Sequence, residues 1–189
     1  MSRPETKQAT VNEETEFLAS ALRAEADAIT RLAQRVIHGD AEKWLAALDL
    51  LNKCDGHVVV SGMGKSGQVG AKISSTFSSL GQPSSFVHPA EAVHGDLGRL
   101  RAGDVAMLLS YSGNTDEVLN LALLLRQDGV PRLGITSSHS SPLARLCDVH
   151  LAIGDVTEAC PLNLAPTTST TVMLAVGDAL ALGLSRRRD

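Results

Sequence analysis

The sequence has few aromatic residues and no strong excess of charge of either sign. Phenylalanine, tryptophan and tyrosine together make up 3% of its 189 residues, and the formal net charge is −4. Exposed aromatic rings stack on nucleic-acid bases, and basic patches attract nucleic acids and anionic membranes. Since both features are missing, we expect no nucleic-acid partner and no membrane partner.

Cysteines are also few, and long apolar runs are missing. Cys54, Cys147 and Cys160 are scattered without the spacing of a metal site, which favours reduced thiols and no bound metal. The N-terminal residues are polar, unlike a signal peptide, and no apolar run approaches the roughly 20 residues of a membrane span. We therefore expect a cytoplasmic protein.

What the sequence does contain is the pattern of one α/β domain, for which 189 residues suffice. Residues 1–11 are predicted to be a disordered tail, and apolar residues at three- and four-residue steps predict helices at 12–38 and 41–54. Short apolar runs then alternate with helical segments. The predicted strands are 57–61, 84–88, 104–110, 131–136 and 148–153, and the predicted helices are 66–80, 115–128, 141–147 and 167–184.

This alternation predicts βαβ units and a parallel sheet. Right-handed crossovers favour a three-layer α/β/α sandwich around a five-stranded parallel sheet, preceded here by N-terminal helices. Such sheets bind ligands beyond the carboxyl ends of their strands. Four loops lie at these ends and are expected to meet in one cleft: residues 62–67, 89–98, 111–115 and 154–166.

A glycine-rich turn, Gly-Met-Gly-Lys-Ser-Gly at residues 62–67, lies between the first predicted strand and the next helix. Backbone N–H groups and the helix dipole favour an anion at such a position. A nucleotide-binding P-loop would need its first glycine at position 59, where the chain has Val59. The glycine spacing matches a dinucleotide-binding turn, but the next strand would then end in Asp or Glu rather than His88. A turn without any ligand is the third interpretation.

Three hydroxyl side chains follow the third predicted strand, at Ser110, Ser112 and Thr115, where the next helix begins. Helix capping by Thr115 alone would explain one of the three. Together with the free N–H groups of the helix N-terminus, the three hydroxyls suit a phosphate group. The two motifs combined favour a phosphate site over a dinucleotide site.

A Gly-x-Gly-x-Ser turn after the first strand and Ser-x-Ser-Gly-x-Thr after the third resemble the motifs of the sugar isomerase (SIS) domain. Two longer segments are similar to the arabinose 5-phosphate isomerases of the KpsF/GutQ group. These are residues 88–98, His-Pro-Ala-Glu-Ala-Val-His-Gly-Asp-Leu-Gly, and residues 158–171, Glu-Ala-Cys-Pro-Leu-Asn-Leu-Ala-Pro-Thr-Thr-Ser-Thr-Thr. The resemblance implies one SIS domain over residues 12–189, with N-terminal helices at 12–54, a sheet core at 57–184 and a flavodoxin-like strand order.

The resemblance also implies an activity. Members interconvert D-ribulose 5-phosphate and D-arabinose 5-phosphate through a cis-enediolate, an early step toward the sugar acid Kdo, and they need neither cofactor nor metal. The phosphosugar-binding residues that it implies here include the serines and threonine of the two motifs. The full set of expected substrate-binding residues is Ser66, Ser110, Ser112, Thr115, Gly64 and His88.

Four further residues match polar active-site positions of the family: Lys65, His94, Glu117 and Glu158. We expect Glu158 to be the proton-transfer base, with Glu117 as the alternative, since a pocket at the sheet edge raises the pKa of a carboxyl group. Lys65 is expected to stabilise the enediolate or to hold the substrate, and His94 to assist ring opening or bind a hydroxyl. From the residues alone, Glu117 also suits a helix dipole, and Glu158 also suits a solvated loop.

Members of the family commonly continue into a Ser-His-Pro-Gly-Gly segment with an active-site histidine, and often into a pair of CBS domains. The sequence up to Asp189 shows neither, and we expect a SIS domain without CBS domains. A non-catalytic sugar-phosphate-binding module and a hexulose 6-phosphate isomerase are the alternative functions. SIS proteins are usually oligomers, so the resemblance implies a homo-oligomer, a tetramer rather than a dimer, with the first and last helices at the interface.

Overall fold

The computed structural model describes residues 11–188, in which two N-terminal helices precede an alternation of strands and helices. The tail predicted at residues 1–11 lies outside the described residues, apart from Val11, which begins the first helix. The helices are α1 Val11–His38, α2 Ala41–Asn52, α3 Gly64–Ser79, α4 Pro89–Ala92, α5 Asp116–Gln127, α6 Pro142–Leu146 and α7 Thr168–Arg188, with a 3-10 helix at Asp96–Arg99. The strands are β1 Val58–Gly62, β2 Ser84–Phe86, β3 Val105–Leu109, β4 Arg132–Thr136 and β5 Val149–Ala152.

The five strands form one parallel sheet in the order β2-β1-β3-β4-β5, which confirms the predicted flavodoxin-like arrangement. In the register, Val58 of β1 pairs with Ser84 of β2 and with Val105 of β3. Every residue of β1 and β3 is buried, as expected for parallel strands that helices cover on both faces. The continuous apolar runs that predicted these strands reflect this double burial.

Helices cover the two faces of the sheet and complete the predicted three layers. Alternate residues of β3 show the division, because Met107 packs in the core beneath α1, α2, α3 and α7, while Leu108 packs in the core beneath α4, α5 and α6. Burial of one such side chain contributes about 1.5–3 kcal/mol to folding. The two cores hold the sheet rigidly, so the loops at its carboxyl edge have defined positions.

The segment after β2 differs from its prediction as an open loop. Residues 89–98 instead form α4, with Pro89 in its first turn, and most of the 3-10 helix. Proline suits this position because its fixed φ matches a helix and its missing N–H has no partner there. Ala92, Leu97 and Leu100 pack with the apolar residues of α5, so the segment lies on the α5 face of the sheet.

The last helix, α7, belongs to the core. Among the described elements it is the one helix long and apolar enough to cross a membrane, but half of its most apolar stretch is buried inside the fold. Val176 and Leu180 are buried against the face that α3 covers. A core helix passes the same test of length and composition, so α7 is weak evidence for a membrane span.

Candidate active site

A cleft of about 310 Å³ opens at the carboxyl edge of the sheet. It lies between the turn after β1, the loop after β3, the loop after β5 and the first turns of α7. Six predicted site residues line it: Lys65, Ser66, Ser110, Ser112, Thr115 and Glu158. The other described residues in its lining are Met63, Leu109, Tyr111, Pro166, Ser169, Thr170 and Met173.

The glycine turn brings the N-terminus of α3 to this cleft. Gly64 begins the helix with a φ of +54°, a left-handed conformation that favours glycine. A Cβ at Gly67 would lie 2.5 Å from the carbonyl oxygen of Gly62, so only glycine allows α3 to approach β1 this closely. A dinucleotide-binding turn uses its third glycine in the same way, which explains why the letters match that motif. The N-cap residue, Met63, offers no side-chain cap, so no side chain occupies the first N–H groups of α3.

The loop after β3 forms the second half of the predicted phosphate site. Ser110 is buried; its Oγ accepts a hydrogen bond from the Gly113 N–H at 3.1 Å and lies 2.8 Å from Thr115 Oγ1. Thr115 is the N-cap residue of α5, but its hydroxyl makes no capping bond to the helix. The capping interpretation is therefore wrong. The hydroxyls and the uncapped helix N-terminus face the same cleft, which is the arrangement that binds a phosphate.

The Glu158 carboxylate is bound to the first turn of α7. Its Oε2 accepts hydrogen bonds from the Thr167 N–H at 2.8 Å, the Thr167 hydroxyl at 3.2 Å and the Ser169 N–H at 3.2 Å, and its Oε1 accepts one from the Ser169 hydroxyl. The Glu158 N–H donates to Asn163 Oδ1 at 3.2 Å. The side chain therefore occupies the anion-binding end of α7 and holds the loop after β5 against that helix.

These contacts set the pKa of Glu158. Partial burial of the carboxyl group acts to raise its pKa, but the hydrogen bonds from Ser169 and Thr167 together outweigh burial and lower it. The expectation that the pocket raises this pKa is wrong, because the donors at the start of α7 stabilise the charged form. Glu158 is therefore ionised at neutral pH.

Four of the predicted site residues do not line the cleft: Gly64, His88, His94 and Glu117. Gly64 shapes the turn that carries Lys65 and Ser66. Glu117 is half-buried in the first turn of α5, and His94 is exposed beyond the end of α4. His94 is exposed, while Ala92 and Leu97 near it in the chain pack with the apolar residues of α5. The expected convergence of all four loops in one cleft is therefore wrong for residues 89–98.

Among the described residues, two buried side-chain atoms near the carboxyl edge have no hydrogen-bond partner, and one of them belongs to His88. Within residues 11–188, Ser61 Oγ and His88 Nδ1 are the buried side-chain polar atoms without a hydrogen-bond partner. Ser61 lies near the end of β1, and His88 is the N-cap residue of α4 just after β2. Buried polar groups nearly always have partners. Ser61 and His88 are exceptions to this rule, and neither residue is among those that line the cleft.

Sequence reasoning missed the cleft residues of α7 and one aromatic residue. Ser169 and Thr170 lie within the segment 158–171 that carried the resemblance, and their hydroxyls were the available signal. Tyr111 lies between Ser110 and Ser112, just after the end of β3. The alternation of side chains between the two faces of a strand does not continue into a loop, so the sequence did not indicate where this side chain points. Met63 and Met173 add apolar surface to the cleft.

Comparison with known proteins places this site in a family. The model of the SIS domain matches residues 50–183. The chain is 49% identical to the arabinose 5-phosphate isomerase KpsF of Escherichia coli over 149 residues, which are 79% of this chain and 47% of that protein. It is 45% identical to the arabinose 5-phosphate isomerase KdsD of Pseudomonas aeruginosa PAO1 over 181 residues, covering 94% of this chain and 54% of the relative. The chain thus spans about half the length of the curated relatives it matches.

A solved structure covers nearly the whole chain. The protein c3406 of E. coli CFT073, in complex with arabinose 5-phosphate, superposes with a TM-score of 0.88 at 39% identity. The match covers 95% of this chain and 94% of that one. The fold, the two loop motifs after β1 and β3 and these similarities agree, and the chain belongs to the SIS domain family.

Proposed function

We propose that this protein is an aldose–ketose isomerase that interconverts D-ribulose 5-phosphate and D-arabinose 5-phosphate through a cis-enediolate. One observation carries the proposal: a cleft that combines two uncapped helix N-termini, a hydroxyl cluster, a lysine and a carboxylate. The relatives named arabinose 5-phosphate isomerases support this choice of sugar, as does the complex of c3406 with arabinose 5-phosphate. The substrate is a phosphosugar, and the mechanism requires neither cofactor nor metal.

The phosphate of the substrate binds at the start of α3 and α5. In this proposal Ser66, Ser110, Ser112 and Thr115 donate hydrogen bonds to its oxygens, and the dipoles of both helices stabilise its charge. Such binding anchors the sugar equally before and during the reaction, so it orients the distal carbons without taking part in their chemistry.

The reaction occurs at C1 and C2 of the bound sugar. In the forward direction a base removes a proton from C1 of ribulose 5-phosphate, the electron pair forms the C1–C2 double bond, and the π pair of the C2 carbonyl moves onto O2 to give the enediolate. The protonated base then returns a proton to C2, where the C1–C2 π pair accepts it, while the hydroxyl proton of O1 is transferred to O2, so that O1 becomes the aldehyde oxygen of arabinose 5-phosphate. Lys65 stabilises the negative charge on the enediolate oxygens. His88 and His94 remain candidate partners of the sugar hydroxyls through the family resemblance alone, since neither lines the cleft.

Glu158 is the proposed base because it is the carboxylate among the described residues that line the cleft. A lowered pKa keeps it ionised, which is the form that accepts a proton, but reduces its proton affinity. Glu117, in the first turn of α5, is the alternative base.

Proton exchange with solvent tests the proposal directly. Purified protein is incubated with ribulose 5-phosphate in D₂O, and the C1 and C2 protons are followed by NMR. We expect arabinose 5-phosphate to form with deuterium from the solvent at C2. A substrate that binds but exchanges no proton would refute the isomerase.

Glu158→Gln and Glu117→Gln identify the base in the same assay. Removing the base should slow exchange by about 10²- to 10⁴-fold, while ribulose 5-phosphate still binds. Glu42→Gln, which changes an exposed carboxylate of α2, serves as the control and should exchange normally. If Glu117→Gln and not Glu158→Gln abolishes exchange, Glu117 is the base. A melting temperature for each variant separates loss of the base from loss of the Glu158 contacts with α7.

A non-catalytic sugar-phosphate-binding module is the second candidate function. Two observations favour it. No histidine lines the cleft among residues 11–188, and the hydrogen bonds to Glu158 reduce the proton affinity of its carboxylate. This alternative predicts tight binding of arabinose 5-phosphate without exchange. The D₂O experiment therefore separates the two functions.

We further propose a cytoplasmic homo-oligomer, a tetramer rather than a dimer, that supplies arabinose 5-phosphate toward Kdo. An apolar groove of about 500 Å³ between α1, α2 and α7 supports an interface between copies. Ile29, Trp44, Leu45 and Val176 are among its lining residues. Light scattering tests the assembly, and a monomer would contradict it.

A further inference from the structure

Three loops at the carboxyl edge are joined through their backbones. The Ser137 N–H, after β4, donates a hydrogen bond to the Tyr111 carbonyl, after β3, at 2.8 Å. The Gly154 N–H, after β5, donates to the Ser137 carbonyl at 3.0 Å. The backbone of Tyr111 therefore has a defined position relative to the two neighbouring loops.

The side chain of Tyr111 adds a second connection, to Val156. The Val156 N–H donates a hydrogen bond to the Tyr111 phenol oxygen at 3.0 Å, and the phenol O–H donates to the Val156 carbonyl at 3.3 Å. We call this pair of bonds the Tyr111–Val156 clasp. The Tyr111 ring and the Val156 side chain also pack against the core beneath α3 and α7, so the ring has a fixed place.

The clasp leaves the phenol little capacity to act on a substrate. Its proton is donated to the Val156 carbonyl, and its oxygen accepts the Val156 N–H. A phenol has one donor and two acceptor sites, so no proton remains for a ligand. Although Tyr111 lines the cleft, its hydrogen bonds indicate that it orders protein rather than sugar.

The position of the clasp gives it a consequence for the proposed reaction. Tyr111 lies between Ser110 and Ser112 of the phosphate site, and Val156 lies two residues before Glu158. The clasp thus connects the end of the cleft that anchors the phosphate to the loop that carries the proposed base. We infer that Tyr111 is a positioning residue, which sets the distance between the bound phosphosugar and Glu158. This inference rests on the proposed isomerase function.

Tyr111→Phe removes the phenol oxygen and keeps the ring. In the variant the Val156 N–H and C=O lose their partners, and the loop carrying Glu158 is less well ordered. Small misplacements of reacting groups reduce rates steeply, so kcat for ribulose 5-phosphate should fall about tenfold. KM should change by less than about twofold, because the serines and threonine of the phosphate site are untouched. Amide hydrogen exchange at Val156, measured by NMR on the free protein, should become faster.

Thr76→Val is the matched control. It removes the hydroxyl that donates to Asp178 Oδ1 at 3.1 Å between α3 and α7, away from the cleft. This variant tests whether a general loss of stability lowers kcat, and we expect normal kcat, KM and Val156 exchange.

The outcomes that overturn the inference differ from those that overturn the function. An active wild type with unchanged kcat in Tyr111→Phe, despite faster Val156 exchange, refutes the positioning role alone. A raised KM with unchanged kcat also refutes it, because Tyr111 would then bind the substrate directly. A wild type that leaves ribulose 5-phosphate unchanged refutes the isomerase function, and with it the positioning role.

Discussion

At the residue scale, the residues of the proposed phosphate site were the most predictable part of the cleft lining. Its signals are local, since glycines and hydroxyls at a strand-to-helix turn indicate an anion site wherever the turn lies in the fold. The hydroxyl pair Ser110 and Thr115, 2.8 Å apart, shows the structural result of that pattern. The environment of Glu158 was not predictable, because its donors lie just before and within the first turn of α7, nine and eleven residues further along the chain.

Ser110→Ala tests the phosphate site at this scale. A hydrogen bond to a charged group contributes about 1.5–3 kcal/mol, so KM for ribulose 5-phosphate should rise about ten- to hundredfold. Because the phosphate is bound alike in the substrate and in the transition state, kcat should change by less than about threefold. Steady-state kinetics measures both constants. Ser79→Ala, which removes an exposed hydroxyl bonded within α3, is the control; a fall in kcat alone would contradict the prediction.

At the element scale, a chain of hydrogen bonds joins α2 to the loop after β4 and to β5. The chain starts at Lys43, whose Nζ lies 2.8 Å from His139 Nε2. The other nitrogen of that ring, His139 Nδ1, lies 3.0 Å from His150 Nδ1. His150 Nε2 in turn lies 2.9 Å from Thr136 Oγ1. Thr136 donates its hydroxyl proton to the Ser138 carbonyl at 2.9 Å. With the threonine proton on the Ser138 carbonyl, the threonine accepts from His150 Nε2–H, His139 donates from Nδ1, and His139 Nε2 accepts from Lys43. In this arrangement both imidazoles are neutral.

The chain makes stability depend on pH. Burial, followed by the charges of His139 and Lys43, lowers the pKa of His150 to about 4. Burial and the charge of Lys43 also lower the pKa of His139, although Asp40 acts to raise it. Both pKa values lie below the ordinary value of 6.5, so the folded state binds fewer protons than the unfolded state between about pH 6.5 and 4. The contribution to stability is present above pH 6.5 and is lost as the pH falls toward 4.

His150→Gln measures this contribution. Between pH 7.5 and 4.5 we expect the wild type to lose about 2 kcal/mol more free energy of unfolding than the variant, after allowance for solvent screening of a partly exposed ring. Urea denaturation at both pH values provides the comparison. His38→Gln, at the exposed end of α1, should lose as much as the wild type. Equal losses in wild type and His150→Gln would show that the chain does not titrate as described.

At the scale of the whole molecule, the first and last helices carry apolar side chains that the described residues leave exposed. Helix α1 has exposed apolar side chains at Phe17, Leu18 and Leu22, and the groove between α1, α2 and α7 is almost entirely apolar. Exposed apolar patches of this kind usually mark an interface. The excess of apolar residues in the first helix was visible in the sequence, whereas the groove exists only because α7 packs beside α1 and α2.

Leu45→Glu tests the proposed assembly. Leu45 is 53% exposed and lines the groove, so a charge there would be buried without a partner if another copy covers it. If the proposed tetramer forms, light scattering should then give a smaller species for the variant than for the wild type. Leu123→Glu is the matched control, because Leu123 is 44% exposed on α5, on the opposite face of the sheet. An unchanged mass for Leu45→Glu would remove this groove from the interface.

The sequence by itself determined the order of strands and helices, the parallel sheet and the two turns proposed to bind phosphate, because these depend on apolar periodicity and on turn chemistry within a few residues. Only the tertiary structure decided which polar side chains share the cleft. Ala92 and Leu97 pack with the apolar residues of α5, and His94 lies outside the cleft lining. The donors at the start of α7 lower the pKa of Glu158, and Tyr111 bonds to Val156 across 45 residues. These contacts join segments distant in the chain, so no local pattern encodes them.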